Sequence, residues 1–381
     1  SYQVTSAATA DAAILPSPQT MVEDEGASAY LPVGAVVNLD SVLHGTFQHN
    51  GDILVSRERL NESQIALNAA MQSCMPEMLR KDTFKRPVAE VTVWRRRVDL
   101  AKIENDKLQD AAETYFDWLA ALRGEGVCLE LIGYEEKVLD RAQRLAKSDE
   151  PAKVLVEGIS AALEAQQQSV VKARQQAHSA AVKLAYLMGM TCGVPATNDT
   201  PGPIDRVDTT LSVEVLVHQA QDNGPGVLEM EGLIASIQQG IDSAHRAQRK
   251  CSHGGSPLVC GQLQMSQSQQ QQAELSLDAL RAQLRAGVES SWVGILDGRG
   301  QMAHSAEAVK HAKENYRINE LRLVKFGPEE NRKNNTYNAV LTSIRQLADV
   351  ESKYVNAVND YNKAQARLLL LLNPYRDCAA P

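Results

Sequence analysis

The sequence predicts a mainly α fold made of long helices that occur in two matched sets. Three observations carry this reading. Apolar residues form a seam at Val156, Ile159, Leu163, Val170, Ala173, Ala177, Ala180, Leu184 and Leu187, with Gln166 in the one polar slot. Steps of three and four lay such a seam along one face of a helix and favour knobs-into-holes packing against a neighbour. The seam then recurs as Val340, Leu347, Tyr354, Ala357, Tyr361, Ala364, Leu368 and Leu371, the mark of an internal duplication. Finally, apolar residues make up 44% of the chain but aromatics only 4%. A bias toward Ala, Gln, Glu, Leu and Arg suits long helices better than a thick globular core.

Each element can be justified in order. Residues 1–37 are rich in Ala, Ser, Thr, Pro and acidic side chains and read as an N-terminal extension or linker. The first repeat spans 38–190. Its opening helix is capped around Asn38-Leu39-Asp40-Ser41, where Asp40 or Ser41 is expected to accept from the first free backbone N–H groups. It breaks at His49-Asn50-Gly51 and resumes to about Gln72. Within an insert over 76–94, the segment Val88 to Trp94 alternates with β-branched residues and predicts a short strand. A long helix from Arg96 to about Ala146 follows. A tip over 147–151 comes next, with Ser148 or Asp149 as cap and Pro151 in the first turn of the next helix. That helix ends at Gly189.

A Pro/Gly linker over 191–210 leads into the second repeat, 211–372. A broken helix, with Asp222-Asn223-Gly224-Pro225 echoing the first break, runs to about Lys250. A second insert, 251–265, holds a brief strand candidate at Leu258-Val259-Cys260. A helix from Ala273 to about Phe326, a tip over 326–333, a helix from about Asn334 to Leu372 and a tail over 373–381 complete the chain.

Charge and composition exclude several function classes. The net charge of −8 gives no basic footprint for nucleic acid. No apolar run reaches the roughly 18 residues of a membrane-spanning helix. Among the six cysteines there is no CxxC or Cys/His metal spacing. Cys251 and Cys260 flank a turn-rich stretch, open to a small disulfide loop or to two free thiols. No HExxH, phosphate-cradling Gly-rich loop or GxSxG is present, so catalytic, cofactor-binding and metal residues are all read as none. His304 and His311 lie seven apart, whereas ligating pairs usually sit at i, i+4. Leu296-Asp297-Gly298-Arg299-Gly300 reads as a kink, and Glu135-Glu136 as surface charge.

Four segments carry a family resemblance. They are Leu39 to Leu43 followed by Asn50 to Ile53; Ala111 to Leu119; Asn315-Tyr316 through Lys325-Phe326-Gly327; and above all Lys353 to Leu368. In order and in duplication the chain resembles the TolC-like outer membrane efflux proteins over about 38–372. The resemblance implies a homotrimer whose antiparallel helical hairpins close into a hollow periplasmic α-barrel, topped by a β-barrel in outer membrane lipid. It implies a passive exit duct of a tripartite efflux or type I secretion system, working with a periplasmic adaptor and an inner-membrane pump. It places adaptor contacts at the tips, here Arg144, Leu145, Lys147, Ser148 and Asp149 in the first and Lys325, Phe326 and Gly327 in the second, with Glu329 and Glu330 as gate acids. The inserts offer only one short strand each, less than the 9–11 residues of a membrane strand. The alternative is therefore a periplasmic coiled-coil scaffold of the same fold without a complete barrel.

Overall fold

The computed structural model describes residues 36–72, 85–147, 150–191, 193–199, 202–250, 257–333 and 335–372. These form helices α1 (Leu39–His49), α2 (Gly51–Gln72), α3 (Lys85–Leu145), α4 (Glu150–Leu187), α5 (Val213–Asn223), α6 (Val227–Lys250), α7 (Pro257–Lys325), α8 (Pro328–Lys333) and α9 (Thr336–Leu372). At 1.5 Å per residue, the 61 residues of α3 span about 90 Å and the 69 of α7 about 104 Å.

The predicted seams pack these rods. Ile159, Val170, Ala173, Ala177, Leu184 and Leu187 of α4 are buried, as are Val340, Leu347, Ala357, Tyr361, Ala364 and Leu368 of α9. Helix α3 lies along α4, and α7 along α9; α3 against α9 joins the two hairpins. The wall therefore reads α4–α3–α9–α7, with α4 and α7 at its edges. Duplication shows in the cores. Tyr115, Phe116, Trp118 and Leu119 anchor one cluster with α1 and α4. The equivalent Trp292 and Ile295 sit in a second with α5, α6 and α9.

Several boundaries differ from the sequence expectation. The cap of α1 is Asn38, whose side chain accepts from the Ser41 amide at 2.8 Å while Ser41 Oγ accepts from the Asn38 amide at 2.8 Å. Neither strand forms among the described residues: 85–94 is the start of α3 and 257–265 the start of α7. The alternation at Val88–Trp94 is overridden by a helical contact set, because Val91, Trp94 and Val98 all pack on the second cluster. Trp94 lies flat against Gly232 of α6, so close that a Cβ there would sit 2.3 Å from the ring, and the Arg97 guanidinium stacks on it at 4.5 Å. Arg86 and Glu90 add an i, i+4 ion pair. Pro257 opens α7, where its missing N–H costs nothing. The Leu296–Gly300 segment lies inside an uninterrupted α7; Gly298 there lets Tyr361 approach, a Cβ falling 3.1 Å from that of Tyr361. Cys251 lies outside the described residues.

Candidate functional site

Two regions of the wall carry side chains placed for more than packing: a collar near mid-length and the hairpin tips. The collar is the linker between the repeats, strapped across α9 by that helix's polar residues. Asn362 Oδ1 accepts from the Ile204 amide at 2.8 Å, and its Nδ2 donates to the Gly202 carbonyl at 2.9 Å. Gln365 Oε1 accepts from the Arg206 and Val207 amides at 2.9 and 3.2 Å, while its Nε2 donates to the Ile204 carbonyl. Both side chains are buried. Arg206 reaches back to Asp40 of α1 in a bidentate pair, and Arg299 ties Asp205 to α7 at 3.1 Å. Tyr115 donates to Asp199; burial first, then that carboxylate, pushes the phenol upward. The linker thus bonds to α1, α3, α7 and α9 together.

The tips are built differently from each other. In the first, Arg144 pairs with Asp140 on the exposed surface, Leu145 ends α3 and Lys147 is exposed in the turn. Ser148 and Asp149 lie outside the described residues. In the second, Lys325 ends α7 exposed, Phe326 is half-buried and Gly327 is exposed with open space around it. A short helix, α8, replaces the simple turn that the sequence suggests. Its first turn carries Glu329 and Glu330, both exposed. Its buried Asn331 donates to the Phe326 carbonyl at 3.0 Å and so closes the end of α7. Asn335 then takes a φ of 50°, a left-handed turn that redirects the chain into α9.

Above the tips the four rods meet around Val138, Ile159, Tyr316, Leu323, Tyr337 and Val340. Arg141 and Glu320 join α3 to α7 at 3.0 Å, and the rings of Tyr134 and Tyr316 lie 5.0 Å apart. Glu135, expected on the surface, is buried at 4% exposure, and its Oε2 has no hydrogen-bond partner. Burial pushes its carboxyl up to about 7, against the opposing pull of Arg345. A buried Glu351 is better served, with Lys313 at 2.7 Å.

Sequence reading placed the tips at the ends of the hairpins but missed the strap, Glu135 and Asn331. The one available signal was polar residues falling on an apolar face, as Asn362 and Gln365 do beside Tyr361 and Leu368. Among the described residues, no group of three or more His, Cys, Asp or Glu could hold a metal ion, and His304 and His311 are both exposed. No described helix is long and apolar enough to cross a membrane.

No protein-family model matches the chain, and no curated protein is similar to it in sequence. Solved structures are similar in fold. The chain matches CusC, described for conformational changes accompanying folding and transmembrane channel formation, with a TM-score of 0.70 at 11% identity, over 90% of this chain and 95% of that one. It matches the outer-membrane channel OprN at 0.69 and 12% identity, over 92% and 95%. It matches the outer membrane protein VceC of Vibrio cholerae at 0.67 and 11% identity, over 88% and 95%. The fold is that of the TolC-like outer membrane channels.

Proposed function

We propose that this chain, sharing the fold of those channels, is a non-enzymatic subunit of an outer membrane exit duct. The observation that carries the reading is the open wall α4–α3–α9–α7. Its two edge helices keep exposed apolar side chains, Val154, Val171, Val182 and Tyr186 on α4 and Val293, Leu296, Leu321 and Val324 on α7. Two different edges that need covering fit a head-to-tail contact, which generates a closed ring when the rotation closes. Three copies would enclose a lumen with twelve rods. The rods suit the periplasm, with the α2–α3 and α6–α7 ends toward the outer membrane. The tips, at Arg144 to Asp149 and Lys325 to Gly327, would meet a periplasmic adaptor and, through it, an inner-membrane pump, with Glu329 and Glu330 at the lower opening.

The helical state of 85–94 and 257–265 favours the second reading, a periplasmic scaffold of the same fold without a complete β-barrel. Planar-bilayer recording on detergent-extracted full-length protein separates the two. Discrete, long-lived conductance steps support the duct. Silence from a preparation shown by native mass spectrometry to be trimeric supports the scaffold.

A further inference from the structure

Glu135 is placed where three rods meet. On α3 it shares a face with Leu131 and Val138, four residues before it and three after. Val138 shares a core cluster with Ile159 of α4 and Val340 of α9, and Leu131 shares one with Leu347 of α9. The Glu135 side chain thus lies beneath the seam between α4 and α9, at 4% exposure, and its Oε2 accepts no hydrogen bond. The seam closes tightly beside it: a Cβ on Gly158 of α4 would fall 3.3 Å from Leu341 of α9.

The charges around the junction are turned outward or already matched. On α3, Glu136 and Lys137 are exposed, Asp140 pairs with Arg144, and Arg141 binds Glu320 of α7 at 3.0 Å. On α4, Glu157 and Glu164 are exposed. On α9, Asp349 pairs with Lys353. Among the described residues, the charge that acts on Glu135 is Arg345 of α9, itself exposed and not hydrogen-bonded to it. A neutral carboxyl tolerates such a place, whereas a carboxylate calls for water or a cation. Neither reaches it while the seam is shut.

We propose that Glu135 is a proton-operated latch on the seam between α4 and α9: protonated, it lets the seam close over it, and once its proton passes to solvent the seam parts near Gly158 and Leu341 so that water or Arg345 reaches the carboxylate. The device belongs to a single protomer and goes beyond the duct reading, on which it does not depend. It acts ten residues before the end of α3 at Leu145, about 15 Å from the first tip, and so couples the fit of the first hairpin on α9 to the pH around the tips. The seam is closed at low pH and opens as pH rises. A carboxyl that titrates at about 7 when covered and at 4.5 in water favours the parted seam about 30-fold more at pH 8.5 than at pH 5.5.

Thiol accessibility tests it. In the full-length protein, in detergent and with the six native cysteines replaced by Ser, Leu341→Cys reports the seam. Thr342→Cys, at an exposed position next to it, corrects for the pH dependence of thiol reactivity. Ala366→Cys, in the buried collar cluster, reports general loosening. The expected result is a labelling ratio of the first probe to the second that rises at least tenfold from pH 5.5 to 8.5 in the parent and stays at its low-pH value with Glu135→Gln added, while Glu136→Gln leaves the rise intact. Arg345→Gln, which removes the one cation that favours the charged form, should move the midpoint of the rise to higher pH, and this holds the latch to account even if Glu135→Gln fails to fold. A ratio flat with pH in the parent overturns the latch. So does a rise that persists with Glu135→Gln, a midpoint unmoved by Arg345→Gln, or an equal rise at Ala366→Cys, which would mean that the whole wall loosens together.

Discussion

At the scale of single residues, Glu135 is a buried carboxyl whose Oε2 has no hydrogen-bond partner. A carboxylate taken out of water without a partner prefers to hold its proton, and burial raises its pKa from 4.5 to about 7. The sign for stability follows. Between the unfolded and folded values the folded chain binds the extra proton, so stability falls as pH rises through that window, and the full penalty applies above about 7. Glu135→Gln keeps the shape and removes the charge. Its expected effect is a gain of about 1–3 kcal/mol over the parent at pH 8, from a shift worth 1.36 kcal/mol per pKa unit, shrinking toward zero near pH 4.5. Paired urea titrations at the two pH values measure it. An equal effect at both would show that the carboxylate reaches water or a partner. Glu136 next door is exposed. That is why this pair was illegible from sequence: two adjacent acids look alike in a chain and differ only by which side of α3 faces the other rods.

At the scale of elements, glycines report how closely the rods approach. Gly232 sits under the Trp94 ring, and even a methyl group there would force the ring or α6 to move. Gly126, inside α3, has nothing within 4 Å of the position a Cβ would take. The same Gly→Ala change should therefore act with opposite sign. At Gly126 it adds helix propensity and stabilises by about 0.5–1 kcal/mol. At Gly232 overpacking should cost about 1–3 kcal/mol and alter the emission of Trp94, one of only three tryptophans. Chemical denaturation with fluorescence detection reads both effects; two gains would mean that Trp94 is not held against α6. This contact also explains the limits of sequence reading. The seams of α4 and α9 were legible because a repeat of threes and fours survives any tertiary detail. The start of α3 was not, because β-branched alternation over seven residues is a local signal, while the ring of Trp94 finds its partner on a helix more than a hundred residues away. The strap residues Asn362 and Gln365 were missed for a related reason. Their partners are backbone amides of a loop, which no side-chain pattern announces.

At the scale of the whole molecule, the wall behaves as four parallel rulers locked to one another, and deletions can test the lock. The ion pair Arg174–Glu125 ties α4 to α3, and Lys313–Glu351 ties α7 to α9, both partway along the rods. Removing residues 125–131, 168–174, 307–313 and 351–357 together takes one heptad from each rod and shortens the wall by about 10 Å. Every contact on either side of the cut returns to register, including the tip cluster of Val138, Ile159, Tyr316, Leu323, Tyr337 and Val340. Removing 307–313 alone instead draws Tyr316 and Leu323 about 10 Å away from their partners on α3, α4 and α9. Each large apolar side chain exposed in this way forfeits about 1.5–3 kcal/mol. The single deletion should therefore unfold at least about 10 °C below the fourfold one, at the 2–4 °C per kcal/mol expected for a large domain. Thermal unfolding followed by circular dichroism, with native mass spectrometry for the assembly state, makes the comparison. If the single deletion is as stable as the fourfold one, α7 slides freely along its neighbours. A wall of sliding rods could not hold the two edge stripes level, and neither a fixed seam between copies nor a defined lumen could then be built from it.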